Sequence, residues 1–286
     1  METDTVYKPL QPKSGSPTET KTLVQFLILT FALTWGLAAA FILFPDQVTA
    51  IFGEANLSNP LVILAIYSPG IVGVFLVWRH YGLKGLGSFF KRLTLWRAPL
   101  VWWLFLIVGI PAVVYTGAAI KGTFNAPFPF FPWYEMLPAL ALSLFLGPIE
   151  EFGWRGLALP LLQRRFVPFW SGLTLGIIWA FWHLPTFLMS GMPQSTWSVV
   201  PYFLGIIAIC VILTPLFNVS RGSLLISILF HFQMMNPLFP DAQPWDNLLW
   251  VAVAVVIVSL NHRTMFQRGA GVTDVLMPGL AKTFPK

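Results

Sequence analysis

LVQFLILTFALTWGLAAAFILF, residues 23–44, carries no charged side chain, and only Gln25, Thr30 and Thr34 interrupt it with amide or hydroxyl groups. A helix rises about 1.5 Å per residue, so roughly 20 such residues cross a hydrocarbon core about 30 Å thick. The stretch therefore predicts a membrane span. Comparable runs lie at 60–78, 99–120, 136–150, 169–188, 198–217, 223–236 and 246–261, separated by charged or Pro/Gly-rich breaks. The expected architecture is an all-α, polytopic membrane helical bundle of about eight spans. Composition agrees: of 286 residues 56% are hydrophobic and 10% charged, against about a quarter charged in soluble domains, which excludes a soluble globular protein.

The expected organisation is a disordered cytoplasmic tail at 1–22, a transmembrane helical domain at 23–262 and a second cytoplasmic tail at 263–286. Residues 1–22 are polar and hold no apolar core or cleavage-like site, so no cleavable signal peptide is expected. The 17 Lys and Arg set the orientation. Lys8, Lys13 and Lys21 precede the first span. Arg79, Lys84, Lys91, Arg92 and Arg97 lie between the second and third, Arg164, Arg165 and Arg221 fall in the next loops of that side, and Arg263, Arg268, Lys282 and Lys286 follow the last. Only Lys121 lies opposite, and Arg155 falls near or inside the membrane. Basic residues favour cytoplasmic loops, so both termini are expected in the cytoplasm and the protein in the cell membrane. Nucleic-acid binding, the other reading of a net charge of +6, is not expected, because the basic residues are dispersed and no groove-reading motif occurs.

Residues 82–97 interleave Leu83, Leu86, Phe89, Phe90, Leu93 and Trp96 with Lys84, Lys91 and Arg92. They read equally as an interfacial helix on the anionic inner leaflet or as a loop. Trp102, Trp103, Trp133, Trp197 and Trp245 near span ends suit an interfacial aromatic belt. The lone cysteine, Cys210, reads as a small packing residue.

Ionisable groups within a span cost about 2.5–3.5 kcal/mol each at its centre and need a reason. Between Met136 and Pro240 the acids are Glu150 and Glu151 and the histidines His183 and His231, supplied by three spans. In Glu150-Glu151-Phe152-Gly153-Trp154-Arg155, Glu151 and Arg155 stand at i,i+4, where a charge pair forms, while Glu150 points about 100° away. Gly147-Pro148 removes a backbone donor just before, which predicts a break and places both carboxylates in the first turn of a new segment. The bland alternative is a salt bridge that merely ends a span. Gly172, Gly176, Trp179 and His183 share one helical stripe, whose Gly-x-x-x-Gly face admits a close neighbour and turns His183 inward. Ser223, Ser227 and His231 form a polar stripe on another span, and Ser227 is expected to orient His231.

These motifs resemble the CPBP (ABI) intramembrane proteases, which include the CAAX prenyl endopeptidases of the Ras-converting type. The family pattern is Glu-Glu-x-x-x-Arg, an aromatic-x-x-x-His, then His-x-x-x-Asn or Asp. The first is met by Glu150, Glu151 and Arg155, and the second by Trp179 and His183. In the third, Asn236 stands five residues after His231 and not four, so its alignment requires an irregular last turn or a π-bulge. The match covers residues 136–240, the expected protease motif region. The resemblance implies hydrolysis of a peptide bond of a membrane-associated substrate, prenylated or not, at a site toward the cytoplasm. It implies Glu150 as general base, Glu151 held by Arg155, His183 orienting water or Glu150, and His231 with Asn236 donating to the oxyanion. No cofactor is expected. The alternative is zinc held by the same Glu/His cluster, although no His-Glu-x-x-His is present. Other classes are a non-catalytic membrane scaffold and a proton-coupled transporter.

Overall fold

The computed structural model describes residues 19–278, and these are helical, with no strand among them. The elements in chain order are α1 (Glu19–Leu43), α2 (Pro45–Phe52), α3 (Pro60–Phe90), α4 (Leu100–Leu104), α5 (Ile110–Lys121), α6 (Met136–Phe145), α7 (Glu151–Gly153), α8 (Leu159–Gln163), α9 (Pro168–Trp182), α10 (Val199–Val219), α11 (Leu224–Met234), α12 (Trp245–Leu260) and α13 (His262–Met265). Among the described residues six stretches are long and apolar enough to cross a membrane: Thr20–Leu43, Pro60–Thr94, Leu100–Lys121, Trp133–Gln163, Pro168–Leu188 and Val199–Val219. Two shorter apolar helices, Leu224–Met234 and Trp245–Leu260, occupy the remaining expected spans. The chain is a multi-pass membrane protein.

Local chemistry places the starts. Asn59 caps α3 by accepting from the Leu61 N–H, with Pro60 following it, and Ser223 caps α11 by accepting from the Ile226 N–H. Several boundaries differ from the sequence reading. Helix α1 begins at Glu19, inside the expected tail, while residues 1–18 of that tail lie outside the described residues. Helix α2 was not expected. Residues 82–90 are helical, continuing α3 after a kink at Gly82, whose φ of 67° and ψ of −169° suit glycine. Trp102 is buried in the core and not in a belt. Within the expected second tail Met265, Val275 and Leu276 are buried, while residues 279–286 lie outside the described residues.

Two close crossings bring the ionisable segments together. Gly172 and Gly176 of α9 face α10, where a Cβ on Gly176 would lie 2.9 Å from the Ile207 Cα. Gly73 of α3 lies against the segment after Glu151, where a Cβ would meet the Gly153 Cα at 2.8 Å. Only glycine permits backbone contact of this kind. Helix α10, flanked by α9 and α12, is the most buried strut of the bundle.

Candidate active site

The chain breaks where Gly147-Pro148 predicts. Helix α6 stops at Phe145, the turn Pro148–Glu150 carries the first carboxylate, and α7 starts with the second. A π-helical turn, Trp154–Ala158, follows at once. The i,i+4 geometry survives across it and sends the two carboxylates to different partners. Glu150 is 4% exposed, and its Oε2 accepts the indole N–H groups of Trp154 at 3.3 Å and Trp179 at 2.9 Å. Fully buried Glu151 accepts through Oε1 from Arg155 Nη1 at 3.0 Å and from His231 Nδ1 at 2.8 Å. Its other oxygen, Oε2, is buried with no hydrogen-bond partner among the described residues. A neutral hydrogen bond nets about 1 kcal/mol, whereas breaking a buried ion pair costs about 3–5 kcal/mol. Glu151 is thus the firmly anchored carboxylate, and Glu150 is held by two neutral donors alone.

The indole of Trp179 is the centre of the cluster. Its N–H meets Glu150, its ring centroid lies 5.4 Å from both the His183 and the His231 imidazoles, and the Arg155 guanidinium stands 4.8 Å from it. Arg155 also directs Nη2 to the Cys210 sulfur at 3.0 Å, so α10 supplies a third restraint on the guanidinium. Cys210, read from sequence as packing, is a partner of the ion pair.

Tautomers follow from the acceptors. His183 Nδ1 lies 2.8 Å from the Trp179 carbonyl, which can only accept, so Nδ1 carries the proton and Nε2 is left to act on a ligand. The Glu151 carboxylate fixes the Nδ1 proton of His231 in the same way, leaving Nε2 beside Gly147, where a Cβ would lie 2.9 Å from it. A larger residue at 147 would therefore fill the space in front of His231. His183 also borders an apolar cavity formed by Ala38, Phe41, Val62, Met189 and Met192, at the end of the bundle away from most Lys and Arg.

Six of the residues singled out from sequence meet here: Glu150, Glu151, Arg155, Trp179, His183 and His231. Two do not. Helix α11 ends at Met234 in an ordinary turn with no π-bulge, so Asn236 is not realigned with His231. Its side chain donates to Gln233 Oε1 at 2.9 Å and accepts from the Leu238 N–H at 3.1 Å, bracing the loop. Ser227 does not orient His231, because its hydroxyl donates to the Ser223 carbonyl at 2.9 Å and Glu151 takes the imidazole. Trp154 was overlooked, although its i+4 spacing from Glu150 is visible in the sequence. Among the described residues no group of three or more His, Cys, Asp or Glu side chains is placed to hold a metal ion.

Comparison with known proteins adds the following. Residues 132–236 match the family model described as type II CAAX prenyl endopeptidase Rce1-like. That segment contains all six clustered residues. CAAX prenyl protease 2 of Methanococcus maripaludis is 28% identical over 181 residues, covering 59% of this chain and 65% of that relative. The chain thus spans just under two thirds of the length of that curated relative.

Proposed function

We propose that the chain, whose residues 132–236 match the Rce1-like type II CAAX prenyl endopeptidase family model, is an intramembrane endopeptidase of that type that hydrolyses a peptide bond of a membrane-associated substrate with water activated by glutamate. The observation that carries this reading is the convergence of Glu150, Arg155, His183 and His231 on one indole, Trp179. A scaffold has no use for two carboxylates held in such unlike ways, whereas hydrolysis needs one that is fixed and one that takes a proton.

In this reading water sits between Glu150 and the His183 Nε2 and loses its proton to Glu150 as it attacks the carbonyl carbon. The tetrahedral oxyanion develops near Gly147, where His231 donates through Nε2 in its doubly protonated form. Glu150 then returns the proton to the leaving amine. Asn236 has no part in these steps. Membrane-associated peptides, prenylated ones among them, are the proposed substrates.

Cleavage of a panel of prenylated and non-prenylated membrane-tethered peptides by the purified chain, beside Glu150→Gln, tests the reading. Cleavage by the parent alone supports it, and no cleavage, or equal cleavage by both, refutes it. The carboxylate mechanism further requires turnover to stay within about twofold after exhaustive chelation. Loss of turnover restored specifically by zinc would instead make the cluster a metal site. We also propose that both termini and the approach to the site are cytoplasmic. Introduced cysteines at 85 and 270 should then be labelled from the cytoplasmic side and those at 56 and 242 from the other. Labelling of the cysteines at 85 and 270 from the opposite side would overturn this orientation.

A further inference from the structure

Arg92 belongs by sequence to a basic juxtamembrane loop, yet it is fully buried. A buried guanidinium is tolerable only if its donors are satisfied. Here the partners are backbone carbonyls of three separate segments. Nε donates to Gly222 at 2.8 Å, Nη1 to Gly156 and to Val275 at 2.8 Å each, and Nη2 to Arg155 at 3.4 Å. The rings of Phe89 and Phe217 stand 5.7 and 5.4 Å from it.

Each carbonyl matters to the cluster. Gly156 and Arg155 lie in the π-helical turn that follows Glu151. Pro160, with no N–H, cannot supply either with a helical donor, and the guanidinium does so instead. Gly222 closes the turn after α10 and immediately precedes Ser223, the cap of α11, which bears His231. Ser223 is tied to the stretch just after Arg92, because its hydroxyl donates to the Leu95 carbonyl. One side chain therefore joins the base of the segment holding Glu151 and Arg155 to the base of the helix holding His231.

The third segment is residues 271–277, which lie across this end of the bundle. Val272 is held at both backbone groups, its N–H by Asn218 Oδ1 at 2.9 Å and its carbonyl by Gln163 Nε2 at 2.9 Å. Arg164 Nε donates to the Thr273 carbonyl at 2.8 Å, and the Met277 N–H donates to the Ser88 carbonyl at 3.2 Å. The Val275 carbonyl completes the set around Arg92.

We propose that Arg92, seated by the strap 271–277, is a positioning residue that sets the register in which Glu151 meets His231. It touches no reacting atom. Its consequence for turnover rests on the protease reading above, whereas its consequence for the hydrogen bond between Glu151 and His231 does not.

The test uses full-length chain with [15N]histidine. A downfield imidazole N–H resonance, assigned by its disappearance in His231→Gln, reports the bond to Glu151. Arg92→Gln should abolish or broaden it, and Arg92→Lys, which donates from a single point and not from a fork, should restore part of it. Gly271→Val is a second route that keeps Arg92, since a Cβ at 271 would meet the Gln163 Cδ at 2.5 Å and wedge the strap away. It should weaken the resonance to a lesser degree. On a cleaved peptide, Arg92→Gln should lower kcat at least tenfold with KM within twofold. The proposal is overturned if the resonance is missing from the parent chain. It is equally overturned if Arg92→Gln, or Gly271→Val should the former not fold, melts normally and keeps the resonance unchanged, or if KM rises while kcat holds. A parent chain that cleaves nothing refutes the protease reading alone, and the resonance still decides the role of Arg92.

Discussion

Helices α6 and α10 are both strongly apolar and uncharged, α6 chiefly Leu and Ala and α10 chiefly Ile, Leu and Val, and the fold uses them in opposite ways. Helix α10 buries Tyr202, Gly205, Ile206 and an unbroken run from Ala208 to Phe217, whereas α6 buries no residue at all. Lipid tails are as apolar as leucine, so hydropathy reports removal from water and is silent on whether lipid or protein replaces it. The neighbours decide. The glycines of α9 let α10 approach to backbone contact, and Cys210 on α10 reaches the Arg155 guanidinium. Helix α6 has no such partner, resting on α11 and short turns, and it ends one turn before the carboxylates. The polar cluster is therefore held from the packed side, with α6 delivering the chain to it.

That contrast breaks most readily at Glu150, at the foot of α6. Glu150→Gln keeps volume and both indole hydrogen bonds but cannot take a proton, so kcat on a cleaved peptide should fall by roughly 10²–10⁴ while the melting temperature barely moves. An active Glu150→Gln protein would end the general-base assignment. Arg155→Ala probes the packed side: it strips Glu151 of its buried cation, and stability should drop by about 3–5 kcal/mol with activity following, read as a loss of melting temperature in detergent. A stable and fully active Arg155→Ala chain would mean that the pair is not buried in the working protein. Leu213→Ala on α10, where the side chain is 1% exposed, should cost about 2–5 kcal/mol through the cavity it leaves. Leu142→Ala on α6, 47% exposed, should stay within about 0.5 kcal/mol. Equal costs for the two leucines would show that α6 is packed against protein after all.

Much of the site was legible in advance because its residues are costly where they stand. Two carboxylates, an arginine and two histidines in apolar spans need partners, and i,i+4 spacing named one of them before any coordinates. Spacing failed where the helix was not regular. Asn236 lies beyond the end of α11, in a turn braced by Gln233, so no rotation per residue could place it. Ser227 shares a stripe with His231, but a serine hydroxyl within a helix readily bonds the carbonyl four residues back, and this one does. Arg92 misled for another reason: counting basic residues by loop cannot distinguish a solvated cation from one enclosed by carbonyls.

Taken by itself, the sequence determined that the chain is a helical membrane protein, roughly where its spans run, and that Glu150, Glu151, Arg155, Trp179, His183 and His231 belong to one polar centre. The first two conclusions rest on transfer energies and helical periodicity, which are properties of short segments, and the third on the resemblance of three motifs to a family pattern. Tertiary structure alone decided that His231 bonds Glu151 across 80 positions of sequence, that Cys210 holds Arg155, that α6 remains at the periphery, and that residues 271–277 fold back onto Arg92. Each of these depends on which helix faces cross and how closely. That is set by small residues and breaks acting between segments far apart in the chain, which no local pattern encodes.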